Sequence, residues 1–117
     1  MNAITITGIH TGVGKTIASA ILAQALGADY WKPVQAGDVN STDSMLVEQL
    51  ITNGTKRVHQ EAIILSQPMS PHAAAVIDNV TIDFTKFIFP TTNQLLLIET
   101  AGGVLSPMTE QHTMADF

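Results

Sequence analysis

The run Gly8-Ile9-His10-Thr11-Gly12-Val13-Gly14-Lys15-Thr16 constrains the fold more than any other part of the chain. It follows a short apolar run at residues 3–7 and opens an apolar stretch with helical spacing. A strand that ends in a glycine-rich turn and passes into a helix beginning Lys-Thr is the form of a phosphate-binding loop. Glycines let the backbone wrap so that successive N–H groups point inward. The following helix adds its own free N–H groups and the positive end of its dipole. In such a loop Gly12, Val13 and Gly14 cradle the phosphates, Lys15 reaches the terminal ones, and Thr16 sets its hydroxyl on Mg2+. Gly8 and Gly14 stand one position further apart than in G-x-x-x-x-G-K-[ST], so the loop is a variant in which Gly12 carries part of the turn.

The rest of the chain alternates strands and helices. Residues 16–26 place Ile17, Ala18, Ile21, Leu22, Ala25 and Leu26 at helical spacing, which predicts a helix burying that face, with Gly27 as its stop. Residues 28–31 read as a second strand, closed by Lys32-Pro33. Proline biases the residue before it toward extended backbone, so Lys32 stands at a strand's carboxyl end, where parallel α/β sheets bind ligands. Residues 35–41 read as loop. Ser41 or Thr42 caps a helix over 43–52, with Met45, Leu46, Gln49, Leu50 and Asn53 on neighbouring turns, Asn53-Gly54 as its stop, and Asp43 in the first turn, where the dipole alone favours an anion. Residues 62–65 form a short apolar strand. Ser70 and Pro71 start a helix over 71–77, His72 being an exposed position near its start. Residues 81–89 lean toward a brief helix. The last strong element is residues 94–99, a continuous apolar run of the kind a strand buried on both faces shows. Its first charge, Glu99, falls at the carboxyl end, the place of an acid that binds Mg2+ directly or through water.

Composition sets outer limits. With 117 residues, 45% of them hydrophobic, the chain has the size of one small domain spanning 1–117. Only 13% are charged, and the mean hydropathy is +0.24. So apolar a chain is expected to leave surface for something else to cover. A net charge of −5 disfavours nucleic-acid and anionic-membrane partners, which attract clustered Lys and Arg. No apolar run has the length of a membrane span and no charged-then-apolar leader precedes the first strand. The absence of cysteine accords with a cytoplasmic protein.

Four stretches in register carry a family resemblance: residues 7–16, Lys32-Pro33-Val34-Gln35-Ala36-Gly37, Ser70-Pro71-His72-Ala73-Ala74 and Glu99-Thr100-Ala101-Gly102-Gly103. In this order and at these separations they resemble the dethiobiotin synthetases, ATP-dependent carboxylases of biotin biosynthesis. Met114-Ala115-Asp116-Phe117 is similar to a further family segment. The resemblance implies an α/β fold of the P-loop NTPase type, a parallel sheet flanked by helices in three Rossmann-like layers, with this chain matching the N-terminal half. It implies ATP, CO2 or bicarbonate and 7,8-diaminopelargonate as substrates, Mg2+ as cofactor, and a homodimer for the full-length family. In the family reaction one amine takes up CO2, the carbamate oxygen attacks the γ-phosphate, and the second amine closes the cyclic urea.

Matched by motif position, the resemblance gives Lys15 the β and γ phosphates and Lys32 the carbamate and transferring phosphoryl group. Thr16, Asp43 and Glu99 become Mg2+ ligands. Thr11 and Gly12 lie where loop, substrate and phosphate meet, and Gly102 and Gly103 let the backbone approach the diamine. Departures from the family pattern are His10 in place of an acidic or small residue, Gly12 where some members have an acid, Ala36 in place of a hydroxyl residue, and Thr100 in place of a frequent glycine. Family members continue well past the position of Phe117. The chain is therefore expected to be a fragment, its strands at 3–7, 28–32, 62–65 and 94–99 making an open half-sheet with an uncovered edge, and its turnover alone weak or absent. Two other readings compete. A partitioning or cell-division switch ATPase would carry a second lysine where His10 stands. A truncated nucleotide-binding module would fold only by pairing with another chain.

Overall fold

A computed structural model describes residues 2–9, 14–103 and 107–116. Loop residues His10, Thr11, Gly12 and Val13 lie outside it. Among the described residues a four-stranded parallel sheet has the order β1 (Ala3–Ile6), β6 (Leu96–Glu99), β2 (Asp29–Trp31), β4 (Val58–His59). A separate parallel pair joins β3 (Val34–Ala36) to β5 (Ile63–Leu65). Helix α1 (Lys15–Leu26) follows the phosphate loop, α2 (Asp43–Leu50) and α3 (Gly54–Arg57) lie between β3 and β4, and α4 (Pro71–Asp78) follows β5.

The continuous apolar run becomes β6, and its central place explains the missing alternation. Leu97 packs on one face with Tyr30, and on α1 and α2 through Ala20, Ala23 and Val47. Leu96 and Ile98 face the other way with Trp31, whose ring meets Phe89 edge-on at 5.4 Å between centroids. A third cluster joins Val34 and Leu65 of the small sheet to Ala74 and Ala75 of α4, with Met108 and Met114.

Several expectations need correction. Residues 62–65 do not extend the main sheet. Ile63, Ile64 and Leu65 pair with Val34, Gln35 and Ala36, a stretch read in part as loop, and the fourth strand is the two-residue β4. The apolar face of α1 turns outward. Small residues, Ser19, Ala20 and Ala23, bring α1 close to the sheet, while Ile17, Ile21 and Leu26 are half exposed or more. In α2, Ser44 and Val47 are buried while Met45, Leu46 and Leu50 face out. That helix stops at Leu50, and Asn53, in the left-handed region, turns the chain into α3. Residues 81–89 hold only a 3-10 turn, Phe84–Lys86, capped by Asp83. His72 is partly buried and lines a hollow with His112 and Asp83.

Candidate functional site

Three parallel strands deliver their carboxyl ends to one edge. Gly14 caps α1 with φ 86°, a left-handed backbone that L side chains rarely adopt, and its carbonyl accepts from Ala18 N–H at 3.0 Å. Lys15 and Thr16 then open the helix. In the register of β2 against β6, Tyr30 lies beside Leu97 and Trp31 beside Ile98, so the next step brings Lys32 against Glu99. Side chains alternate along a strand, so Tyr30 and Lys32 share the face occupied by Leu97 and Glu99.

The side chains meet there. Glu99, 1% exposed, accepts from Thr16 Oγ1 at 3.0 Å on Oε2 and from the Tyr30 hydroxyl at 2.9 Å on Oε1. The Lys32 ammonium is 3.6 Å from Glu99 Oε2 and donates to Asp43 Oδ2 in a close ion pair. Burial, above all, pushes the Glu99 carboxyl upward; Lys32 opposes this, Asp43 adds to it, and the Tyr30 and Thr16 hydroxyls pull it back down. Burial and then Glu99 push the Tyr30 phenol far up, so it remains a donor. Lys32 and Glu99 are buried while Asp43 stays partly open to solvent, and the ammonium between the two carboxylates offsets their repulsion.

Asp43 reaches this point because the chain from β3 to α2 is pinned. Gln35, buried, donates through Nε2 to Gly37 O at 3.0 Å, and its Oε1 accepts from Asp43 N–H at 3.4 Å. Thr42 caps α2, its hydroxyl oxygen accepting from Met45 N–H at 3.2 Å.

Lys15, Thr16, Lys32, Asp43, Glu99 and Gly102 line one hollow of about 680 Å3, together with Gly14, Gln35 and Pro71. Gly103, the next residue after Gly102, is buried. Of the residues singled out from the sequence, Thr11, Gly12 and Val13 lie outside the described residues; the others are brought to this hollow or its border. Tyr30 and Gln35 received no role from the sequence, although Tyr30's spacing of two from Lys32 already places both on one face. Thr100, a departure from the family pattern, is buried, and its hydroxyl donates to Thr7 Oγ1 at 3.0 Å, stitching the exit of β6 to that of β1.

The arrangement suits a polyphosphate with a divalent cation. Mg2+ commonly takes one or two protein carboxylates, the remaining positions being filled by phosphate and water. Asp43, Glu99 and the Thr16 hydroxyl fit that donor set. Among the described residues no helix is long and apolar enough to cross a membrane.

A parallel sheet whose carboxyl edge joins a Gly-Lys-Thr helix start to a strand-ending acid defines a P-loop nucleotide-binding protein. The chain belongs to the AAA-domain family, whose model matches residues 2–117. It is 51% identical over 116 residues to the ATP-dependent dethiobiotin synthetase BioD of Chlamydia pneumoniae, covering 99% of this chain and 52% of that protein. The proteins of the same name from Christiangramia forsetii and Rhodopseudomonas palustris strain BisB5 are 48% and 49% identical, covering 95% and 97% of this chain and 54% and 53% of theirs. The chain thus spans about half the length of these curated relatives.

Proposed function

We propose that this chain binds the triphosphate of ATP with Mg2+ and supplies the phosphoryl-transfer half of a dethiobiotin synthetase, acting on the carbamate that 7,8-diaminopelargonate forms with CO2. The observation that carries the reading is Lys32, whose ammonium lies against both Asp43 and Glu99 at the mouth of the Lys15-Thr16 helix start. Two anions, carbamate and triphosphate, must come together in line, and the chief demand on the protein is to offset their repulsion. Lys15 and the first turn of α1 hold the terminal phosphates. Lys32 faces the transferring phosphoryl group and the carbamate oxygen that attacks it. Asp43, Glu99 and Thr16 would hold the metal, which would supply positive charge to offset that of the phosphates. Gly102 and Gly103 give the diamine access to the backbone; by motif position Thr11 and Gly12, outside the described residues, belong where loop, substrate and phosphate meet. The names of the relatives support this reading, as does the match of all four motifs.

Because the chain spans about half of those relatives, its turnover alone is expected to be weak or absent. That same coverage favours a second reading, a nucleotide-binding module without chemistry of its own. The two separate by substrate binding. In ligand-observed NMR with Mg2+ and a non-hydrolysable ATP analogue, diaminopelargonate is expected to show saturation transfer that strengthens with bicarbonate and disappears in Lys32→Ala. Mass spectrometry then checks for dethiobiotin. Analogue binding without any diamine signal leaves only the module, and ATP hydrolysis indifferent to diamine and bicarbonate points to a switch ATPase.

A further inference from the structure

We infer that Tyr30 is a positioning residue for the metal-binding acid: it holds Glu99 by Oε1, so that Oε2, beside Thr16 and Lys32, is the oxygen presented to a divalent cation. This rests on the proposed Mg2+-nucleotide site and adds to it a residue outside the family motifs.

A buried carboxylate has two equivalent oxygens and can rotate to exchange them. Here they are made unequal. Oε1 accepts the Tyr30 hydroxyl at 2.9 Å, while Oε2 accepts Thr16 Oγ1 at 3.0 Å and lies 3.6 Å from Lys32 Nζ. The donor on Oε1 is itself immobile. Tyr30 is 0% exposed, and its ring is part of the cluster formed by Ala20 and Ala23 of α1, Val47 of α2 and Leu97 of β6. A phenol supplies one O–H, and this one is spent on Glu99. Groups that orient a metal's carboxylate ligand matter nearly as much as the ligand, their loss costing about 10–100-fold in metal affinity. Tyr30 is not among the residues that line the hollow, so its route to the metal site is through Glu99.

The test is Tyr30→Phe, which keeps the ring and removes the hydroxyl. Mn2+ affinity of the ADP-bound chain, read from the electron paramagnetic resonance of free Mn2+, is expected to fall about 10–100-fold. ADP affinity in EDTA is expected to be unchanged. A general loss of packing would lower both together and would overturn the assignment, as would an unchanged Mn2+ affinity. In a Glu99→Gln background the hydroxyl should make no further difference; additive losses also overturn it.

Since Tyr30 is the chain's single tyrosine, biosynthetic 3-fluorotyrosine gives one 19F resonance that needs no variant to fold. Adding Mg2+ to the ADP complex should shift it and EDTA should restore it; a signal indifferent to Mg2+ sinks the inference. If the parent chain shows no metal-dependent ADP binding, the proposed function falls and this inference with it. If the parent binds and Tyr30→Phe binds equally, only the inference falls.

Discussion

Gly14 and Gly37 both sit at positive φ, 86° and 78°, but for different physical reasons. Among the described residues a Cβ on Gly14 would meet nothing within 4 Å, so the requirement visible there is its left-handed backbone. A Cβ on Gly37 would meet Pro68 Cα at 2.6 Å and Pro68 N at 2.8 Å, backbone atoms that cannot swing aside. Gly14→Ala should therefore cost about 1 kcal/mol, and Gly37→Ala about 3 kcal/mol, strain and clash combined. Denaturant unfolding checks the order; equal losses would show that Pro68 gives way freely. Gly14→Ala should also weaken ADP binding, since it sets the direction of the first N–H groups of α1. Lys15, Thr16, Lys32 and Glu99 stood out in the sequence because local punctuation marks them: Gly14 before Lys15-Thr16, Pro33 after Lys32, Glu99 as the first charge after an apolar run. Asp43 was legible only through the family resemblance, because a helix dipole explains an acid in a first turn equally well. Tyr30 and Gln35 were not legible, since what they do is settled by partners on other elements, Glu99 on β6 and the Asp43 N–H on α2.

Among the elements, the C-terminus of α1 is held by a side chain far along the chain. Arg57, half-buried, donates from Nη2 to the carbonyls of Ala23 and Ala28, from Nε to Ala28 O at 3.1 Å, and from Nη1 to Thr52 O at 2.8 Å. The guanidinium lies across the negative end of α1, adding to a carbonyl, Ala23 O, that already accepts from Gly27 and Ala28 N–H, and it joins α1, α3 and the chain entering β2. Arg57→Ala should lower unfolding stability by about 2 kcal/mol, and Arg57→Lys should recover little, because one ammonium cannot span the fork. A second tie joins β5 to α4: the Asp78 carboxylate accepts from Ser66 N–H at 2.6 Å and from the Ser66 hydroxyl. The Ser66 hydroxyl first, and then its N–H, hold the Asp78 carboxyl below the ordinary aspartate pKa. A depressed folded pKa stabilises the fold above the unfolded value and loses that stabilisation as pH falls through the folded one. Asp78→Asn should thus be less stable than the parent above the ordinary aspartate pKa, with the gap closing in stronger acid; a gap that widens there would reverse the assignment. Such ties also explain which elements the sequence hid. A two-residue strand such as β4 has no periodicity to read, and its place beside β2 depends on Arg57 before it and on His59 Nε2 lying 2.7 Å from Asp29 Oδ2. By contrast β1, β6 and the start of α1 are fixed by local pattern, apolar runs ending in glycine or charge, and the structure places them as expected.

At the scale of the molecule, the large apolar residues that helical spacing put inside lie outside. Ile17, Ile21 and Leu26 of α1 are 50%, 63% and 51% exposed, and Ile4 of β1 is 42% exposed. Strand β1 is also an edge of the main sheet, pairing only with β6 among the described residues, and its sequence Ala-Ile-Thr-Ile has none of the charges or prolines that blunt an edge. Burying an isoleucine fully is worth about 1.5–3 kcal/mol, whereas a net charge of −5 repels only weakly once salt screens it. Apolar attraction should therefore win, and the isolated chain is expected to self-associate. Sedimentation velocity at increasing concentration should show a rising weight-average coefficient, more so in sulfate, which strengthens apolar burial. Ile21→Glu tests the cause, because it adds charge at an exposed helix position where stability should change by no more than about 0.5 kcal/mol. The variant should sediment as a smaller species than the parent at equal concentration while keeping the parent's ADP affinity. Association undiminished in Ile21→Glu would place the contact elsewhere, and a parent that stays monomeric throughout would mean that this face and this edge, open as they are, do not drive association.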